Sequence, residues 1–251
     1  MNSVDAIQKA AEILRASKHA VALTGAGHST PSGIPDFRSP ESGLWEKHDP
    51  MAVASIWAFR ANPEAFYDWI RSLARQMAAA KPNPAHYALA RLEKRGILKA
   101  VITQNIDDLH AKAGSKRVLE LHGHMRTASC IACGRTVKAE PLIKKFLDAG
   151  RMPLCSCGGV MKPDVILFGE MLPPAVFMEA EAEARRCDVM LVAGSSLEVA
   201  PAADLPFVAH GNGAKLILVN LQPTPADSLA EVVIRDDVAV ALPQIADLCA
   251  A

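Results

Sequence analysis

The sequence has few aromatic residues, no excess of either charge and no long apolar run. Only 5% of its 251 residues are aromatic, and 27 lysines and arginines balance 27 aspartates and glutamates. This balance gives no basic surface, so we expect neither a nucleic-acid partner nor a membrane partner. No apolar run approaches the roughly 20 residues that a membrane-spanning helix needs.

The sequence also has no feature typical of an exported protein. Residues 1–18 read as an amphipathic polar helix and not as a signal or an arginine-rich transit peptide. Six cysteines without such a signal indicate reduced thiols or metal ligands, not a disulfide framework. We therefore expect a cytoplasmic protein.

Apolar strands alternate with amphipathic helices along most of the chain. The predicted strands are 20–23, 97–103, 118–121, 164–168, 189–193, 215–220 and 232–234, and the clearest predicted helices run from Pro84 to the residue before Gly96, over 175–187 and over 238–248. Half of the residues are hydrophobic, which is enough for a sizeable core. The alternation predicts an α/β fold with a doubly wound, Rossmann-like, mostly parallel sheet.

Residues 41–80 have a different composition. They hold all three tryptophans, Trp45, Trp57 and Trp69, among alanines and charged residues. The spacing predicts two or three helices, and aromatic residues at helical spacing usually belong to a core.

A glycine-rich turn follows the first predicted strand. Gly25 and Gly27 allow the backbone to turn sharply, and successive N–H groups there can hold a phosphate. The dinucleotide fingerprint asks for a third glycine, where this chain has Thr30. The segment 33–38 then places an acid, an aromatic ring and a guanidinium side by side, which fits either a ligand-binding loop or a surface loop with a chance ion pair.

Four of the six cysteines form two close pairs. Cys130 and Cys133 have the usual spacing of a zinc ribbon, and Cys155 and Cys157 are one residue closer than usual. Four thiolates from two tight turns can close a tetrahedral site, so we expect one structural zinc ion. Cys187 and Cys249 are expected to be ordinary core residues.

Polar residues follow the second and third predicted strands. Residues 104–108 lie after one strand end, where ligands bind in open α/β sheets. His122 follows the next strand, and its ordinary pKa near ~6.5 suits a general base. His124 competes for this role, and the residues alone do not separate the two.

Taken together, these motifs resemble the sirtuin family of NAD-dependent protein lysine deacylases, most closely its short bacterial and archaeal members. The motifs that carry the resemblance are Thr24–Gly27, Gly33–Arg38, Thr103–Asp107, Leu121–Gly123, the cysteine pairs, Phe168–Glu170, Gly194–Leu197 and Val219–Asn220, in that order. The resemblance implies an NAD-binding domain from 1–40, 83–124 and 164–251. It also implies a small domain made of a helical insertion, 41–82, and a zinc module, 125–163.

The resemblance implies a role for each matched position. His122, Asn105 and Asp107 would be catalytic, with His122 as the base. The NAD contacts would be Gly25, Ala26, Gly27, Thr30, Asp36, Phe37, Arg38, Gln104, Asn105, Ile106, Asp107, Gly194, Ser195, Ser196, Asn220, Leu221, Asp237 and Val238. The acylated peptide would contact Tyr67, Ile70, Phe168, Gly169, Glu170, Met171 and Leu172, the last five forming a strand-like edge for main-chain pairing.

The implied reaction moves the acyl group from a modified lysine to ADP-ribose. NAD would lose nicotinamide as the acyl oxygen attacks its ribose, and His122 would remove a ribose hydroxyl proton. Phe37 and a lid over 30–44 would exclude water. The ribose 2′-oxygen would then attack the imidate carbon and water would complete the release, giving free lysine, nicotinamide and O-acyl-ADP-ribose.

Two positions depart from the family pattern. His28 stands where the family usually has an aliphatic residue. Sirtuins that prefer negatively charged acyl groups carry Tyr-x-x-Arg, but here Tyr67 is followed at that spacing by Ile70, with Arg71 one place later. A buried carboxylate without a guanidinium partner is costly, so Ile70 favours a neutral, acetyl-type group.

Two other functions are compatible with parts of the sequence. An oxidoreductase could use the same sheet to transfer hydride from NAD, although the third glycine is missing. A silent module could bind zinc, NAD and acylated tails without turnover. The sequence does not identify the substrate protein, and we expect a monomer.

Overall fold

The computed structural model describes residues 3–36, 43–44 and 48–250. Within them, the strands are β1 (Ala20–Thr24), β2 (Leu98–Thr103), β3 (Val118–Glu120), β4 (Gly123–Cys130), β5 (Thr136–Lys138), β6 (Met161–Val165), β7 (Val189–Ala193), β8 (Lys215–Val219) and β9 (Val232–Ile234). The helices are α1 (Ser3–Ala16), α2 (Pro50–Val53), α3 (Ile56–Ala61), α4 (Pro63–Ala79), α5 (Pro84–Lys94), α6 (Leu109–Ala113), α7 (Glu140–Ala149), α8 (Pro174–Arg186), α9 (Leu205–Gly211) and α10 (Val238–Leu248). Among the described residues, no helix has the length and hydrophobicity to cross a lipid bilayer.

Six strands form one parallel sheet in the order β3-β2-β1-β7-β8-β9. The chain moves outward from β1 to β3 and then returns to the other side of β1, so the direction of winding changes between β1 and β7. This confirms the predicted doubly wound fold. The loops that follow β1 and β7 border a crevice at this point.

Helices cover both faces of the sheet because successive side chains of a strand point to opposite faces. Ala20 and Ala22 of β1 pack in a core with helices α1, α5 and α10. Val21 and Leu23 of the same strand pack in a second core with α8 and α9. Burial on both faces explains why these strands read as continuous apolar runs.

The small sheet corrects one strand assignment. The sequence predicts a strand over 164–168 in the main series, but the strand is Met161–Val165, and it pairs antiparallel with β4 in a separate sheet of order β5-β4-β6. Pairing with β4 explains the shift. Val165 pairs with Gly123, the first residue of β4, which directly follows His122, so the strand ends there. The small sheet is therefore joined to the main sheet next to the candidate base.

The aromatic helices α3 and α4 form a third core. Phe59, Phe66 and Tyr67 are buried there, as predicted. Trp57 is not, since 59% of its surface is exposed. Its ring lies over Gly169, where an added Cβ would come within 2.3 Å of it. Trp45 lies outside the described residues.

Two glycine-containing loops pack closely above β1 and β7. A Cβ added to Gly194, at φ +64°, would lie 2.2 Å from the backbone nitrogen of His28. A Cβ added to Gly27 would lie 3.0 Å from the Gly194 carbonyl oxygen. The loops can approach this closely only because both positions are glycine.

We expect Gly194→Ala to lower the free energy of unfolding much more than Gly213→Ala. Gly213 also has a positive φ, +91°, but nothing lies within 4 Å of an added Cβ. Its substitution should cost about 1–2 kcal/mol for the left-handed backbone alone. Gly194→Ala should cost roughly 2–3 kcal/mol more, because the loops must separate. Denaturant titration measures both, and equal losses would contradict the close packing.

Candidate active site

A cleft of about 850 Å³ lies at the crevice between the two loops. Its walls come from the loops after β1, β2, β7 and β8, from helix α4 and from the segment 165–172. This volume falls in the range of small-molecule and cofactor sites. The cleft is therefore the candidate active site.

The structure brings most of the expected site residues into this cleft. Those that line it are Gly25, Ala26, Gly27, Thr30, Asp36, Gln104, Asn105, Ile106, Asp107, His122, Gly194, Ser195, Ser196, Asn220, Leu221, Asp237 and Val238, together with Ile70 and Phe168–Leu172. Phe37 and Arg38 lie outside the described residues. Tyr67 is described but does not line the cleft, since its hydroxyl donates to the Met161 carbonyl inside the small domain.

Several lining residues were not among the expected ones. Phe66, Leu73 and Met77 join Ile70 on one face of α4, and Ser29 lies in the loop after β1. The spacing of the α4 residues indicated a buried apolar stripe, but the sequence alone could not show that part of it faces a cavity. For Ser29 no pattern in the sequence gave a signal.

The side chain of Asn105 is held by two hydrogen bonds. Its Nδ2 donates to the Gly25 carbonyl at 3.0 Å and to Ser29 Oγ at 3.1 Å. The Ser29 hydroxyl in turn donates to Asp107 Oδ2 at 2.6 Å. Both N–H groups of the Asn105 amide are thus engaged, so its oxygen is the atom left to contact a ligand.

Asp107 is buried within this network. Its second oxygen, Oδ1, accepts from the Leu109 backbone N–H at 2.9 Å. Burial raises the pKa of this carboxyl, and the hydrogen bonds from Ser29 and Leu109 oppose that rise. Gln104 lies beside the network and donates to Ser195 Oγ at 3.0 Å, which links the loops after β2 and β7.

His122 has one ring nitrogen fixed and the other available. Its Nδ1 lies 2.9 Å from the Gln104 carbonyl oxygen. A carbonyl oxygen only accepts, so Nδ1 carries the proton and Nε2 keeps a lone pair. Burial lowers the pKa of His122, and the bond to Gln104 partly offsets this effect. At neutral pH the ring is therefore an unprotonated base.

The structure also distinguishes His122 from His124. His122 lines the cleft, whereas His124 is not among the lining residues. The difference follows from β4, which begins at Gly123. Gly123 has φ +72°, and an added Cβ would lie 2.1 Å from the Asp164 carbonyl oxygen, so this turn depends on glycine.

Phe168 forms an isolated parallel bridge with Ser55 and a turn follows at Gly169, while the pairing of Phe168–Leu172 with a peptide stays a prediction. The Phe168 N–H donates to Ala54 and its carbonyl accepts from Ile56, both at 2.9 Å. The Glu170 N–H donates to the Leu167 carbonyl at 3.0 Å. These main-chain groups are already paired, which leaves fewer of them for a peptide than the motif indicated.

The part of the crevice beside β8 and α10 also has an ordered geometry. Asp237 caps α10, its carboxylate accepting from the Ala239 N–H at 2.7 Å. Asn220 Nδ2 donates to the Gln222 carbonyl at 2.8 Å. Among the described lining residues there is no lysine or arginine, and the expected contact Arg38 lies outside them. Backbone N–H groups of the loops can donate to an anion there.

The residues present fit a dinucleotide. The glycine loops leave their backbone free of Cβ atoms where they meet, and amide, hydroxyl and carboxylate groups line the full length of the crevice. One base, His122, lies beside them. This arrangement can bind a nucleotide and remove a proton from a bound hydroxyl.

The four cysteine sulfurs of the small sheet fit a zinc ion. Cys130 and Cys157 have their Sγ atoms 3.5 Å apart, and Cys133 and Cys155 have theirs 3.8 Å apart. Tetrahedral zinc with bonds near ~2.3 Å holds its sulfurs roughly 3.8 Å apart. A Cβ added to Gly159 would lie 2.7 Å from Cys130 Sγ, so glycine keeps this space open. Cys187 and Cys249 are buried elsewhere, as predicted.

Comparisons with known proteins agree with this geometry. The model of the Sir2 family matches residues 25–201. "NAD-dependent protein deacylase 2" of Archaeoglobus fulgidus is 51% identical over 245 residues, which cover 97% of this chain and 96% of that protein.

Solved Sir2 structures are similar over nearly the whole chain. One, of Sir2Af2 bound to a myristoylated histone peptide, is 45% identical with a TM-score of 0.85 and covers 98% of this chain and 97% of its own. Another, which contains a deacetylated p53 peptide and 3'-O-acetyl ADP ribose, is 42% identical with a TM-score of 0.91. It covers 96% of this chain and 97% of its own.

We expect Cys133→Ser to weaken the binding of the tightest zinc ion by on the order of a hundredfold or more, because it removes one of four ligands. Cys249→Ser, which changes a cysteine far from the cluster, should leave this affinity unchanged. Competition with a chromophoric chelator measures both. Limited proteolysis should also show cleavage of the zinc-free protein within 125–163 first. Unchanged zinc affinity in Cys133→Ser would contradict the site.

Proposed function

This chain belongs to the Sir2 family, and from that premise we propose how its cleft works. The protein is an NAD-dependent protein deacylase that transfers an acyl group from acyl-lysine to ADP-ribose. Its relatives bear deacylase and deacetylase names, and a similar structure contains a deacetylated peptide with acetyl ADP ribose. The observation that carries the residue assignment is the fixed tautomer of His122 at the wall of the cleft.

NAD bound in this cleft supplies a ribose carbon that becomes electrophilic when nicotinamide leaves. His122 accepts a proton from a ribose hydroxyl at Nε2, the nitrogen that its bond to Gln104 leaves unprotonated. The same bond fixes the plane of the ring. Burial of His122 keeps the ring neutral before the proton arrives.

Asn105 and Asp107 orient the nicotinamide ribose and carboxamide in this proposal. Ser29 holds both side chains at once, so neither can rotate without breaking a hydrogen bond. The Gln104 backbone carbonyl positions the imidazole of His122. The Gln104 side-chain amide positions the loop after β7 through its hydrogen bond to Ser195. The loops after β1 and β7 bind the pyrophosphate, and Asn220, Leu221, Asp237 and Val238 contact the adenosine.

The acyl chain packs against the apolar wall of the cleft that α4 forms. Ile70 lines the cleft together with Phe66 and Leu73. Arg71 is turned away, because its Nη2 donates to the Gly150 carbonyl at 2.9 Å and pairs with Asp68 at 3.0 Å. The wall therefore accepts neutral acyl groups, and we infer that Tyr67 supports it from behind.

The zinc ion has a structural role in this proposal. Four cysteines leave no open ligand position, so the metal stabilises the small sheet and takes no part in the reaction. The division into an NAD-binding domain over 1–40, 83–124 and 164–251, with 41–82 and 125–163 as the small domain, belongs to the same proposal. So do a cytoplasmic location, which six cysteines without a disulfide support, and the lack of a nucleic-acid partner, which the balanced charge supports. We also propose a monomer.

The two alternatives have less support. A hydride-transferring oxidoreductase has the same strand order, but the relatives compared above bear deacylase names and Thr30 replaces the third glycine. A silent binding module would not need a base with a fixed tautomer. Neither alternative explains the cleft as fully as deacylation does.

We expect His122→Ala to lower turnover of an acetylated peptide by at least a thousandfold, because it removes the one imidazole among the described lining residues. NAD binding should persist within a few fold, as measured by calorimetry. The matched control is His124→Ala, which removes the neighbouring histidine outside the cleft and should keep near-normal turnover. The reverse result would assign the base to His124.

We expect the wild-type protein to act on acetyl-lysine and butyryl-lysine peptides at least tenfold faster than on the succinyl-lysine peptide. Ile70→Arg should narrow this ratio, because it places a guanidinium on the cleft wall. Arg71→Ile should leave the ratio unchanged. Equal rates on the acetyl-lysine and succinyl-lysine peptides in the wild type, with the succinyl-lysine rate lost in Arg71→Ile, would mean that Arg71 binds the acyl carboxylate.

A further inference from the structure

Three histidines meet behind the loop that follows β1, outside the lining of the cleft. His28 ends the turn Ala26–His28, His86 lies in the first turn of α5, and His110 lies in α6. All three are buried, and their ring centroids are 4.6 to 4.9 Å apart. One ring nitrogen from each lies within 4.8 Å of the others.

The hydrogen-bonding capacity of these rings is only partly used. Neither ring nitrogen of His28 has a partner among the described residues, and neither does Nδ1 of His110. A buried polar atom without a partner costs on the order of 1–3 kcal/mol. A metal ion accepts one lone pair from each neutral ring, so it would satisfy one of the two nitrogens of His28 and Nδ1 of His110.

We propose that His28, His86 and His110 bind a divalent transition-metal ion of the kind that imidazole prefers, such as zinc. The site is separate from the four cysteines and from the NAD cleft. The proposal does not rest on the proposed function, because none of the three rings lines the cleft and metal binding is measured without turnover.

The state of the rings suits a metal. Burial lowers the pKa of His28 and His110 well below 6.5 and that of His86 to about 4. The rings are therefore neutral, and the neutral imidazole is the form that binds a metal. Three histidines are a known ligand set for zinc, with bonds near ~2.0–2.1 Å.

Binding requires a small inward rotation of the rings. Around a tetrahedral ion the nitrogens would be roughly 3.4 Å apart, against the present limit of 4.8 Å. His86 would lose a hydrogen bond, since its Nδ1 accepts from the Asn83 backbone N–H. Ligation through Nε2 would place the ring proton on Nδ1 and break this 3.3 Å hydrogen bond, a cost of about 1–3 kcal/mol that the metal bond must offset.

A buried carboxylate close by compensates for the charge of the ion. Ser29 Oγ lies 3.5 Å from His86 Nε2 and donates to Asp107 Oδ2 at 2.6 Å. Only one hydroxyl therefore separates Asp107 from the cluster. The hydroxyl of Thr24, 2.9 Å from His110 Nε2, fixes the third ring.

The test is the number of metal ions bound per chain. The wild-type protein, saturated with zinc and then desalted, should hold two ions, and His28→Ile should hold one. His210→Ala, which removes an exposed histidine at the end of α9, is the control and should hold two.

Replacing zinc by cobalt separates the sites, because only the cysteine site gives thiolate charge-transfer bands. The second equivalent should give ligand-field bands alone, and these should be missing in His28→Ile.

A second measurement does not depend on how the variant folds. In the wild-type protein, imidazole nitrogen NMR should show the second equivalent of zinc shifting one nitrogen each of His28, His86 and His110. One zinc per chain in the wild type, two in His28→Ile, or unshifted nitrogens in these rings would each overturn the proposal. Deacylation is measured separately and can fail or succeed without changing the metal count.

Discussion

The close contact between the loop after β1 and the loop after β7 is the constraint on which the rest of the site depends. Gly25 and Gly27 meet Gly194 and Ser195 at distances that no Cβ would permit. The two strands are neighbours in a sheet that changes its winding direction between them. The contact therefore forms the floor of the crevice and sets where every group above it lies.

Polar side chains from the neighbouring loops are fixed to this floor. Asn105 donates to the Gly25 carbonyl, and Gln104 donates to Ser195. The Gln104 carbonyl then fixes the ring of His122. The position of the base thus follows, through a short series of hydrogen bonds, from the packing of backbone against backbone. Such pre-organisation limits the rearrangement needed at the moment of reaction.

Much of this could be predicted from the sequence. The alternation of apolar runs and helices predicted the doubly wound, mostly parallel sheet, and the resemblance of the motifs to sirtuins implied most of the described residues that line the cleft. The cysteine spacing indicated the zinc site for a similar reason, because local turns fix the ligands. In each case the informative residues are close together in the chain.

The features that could not be predicted depend on contacts between distant segments. The strand Met161–Val165 joins the small sheet because β4 pairs with it, which no local pattern reveals. Phe168 has its main-chain groups paired with Ala54 and Ile56, more than a hundred positions earlier. Trp57 is largely exposed, and its ring lies against Gly169, which is distant in the sequence. The meeting of His28, His86 and His110 likewise depends on three separate elements.

The most direct test of the central claim is to measure nicotinamide release with and without an acetylated lysine peptide. The account predicts that nicotinamide forms only when the peptide is present, at one molecule for each lysine deacetylated, with acetyl-ADP-ribose as the co-product. Formation of NADH, or nicotinamide release at the same rate without the peptide, would contradict it.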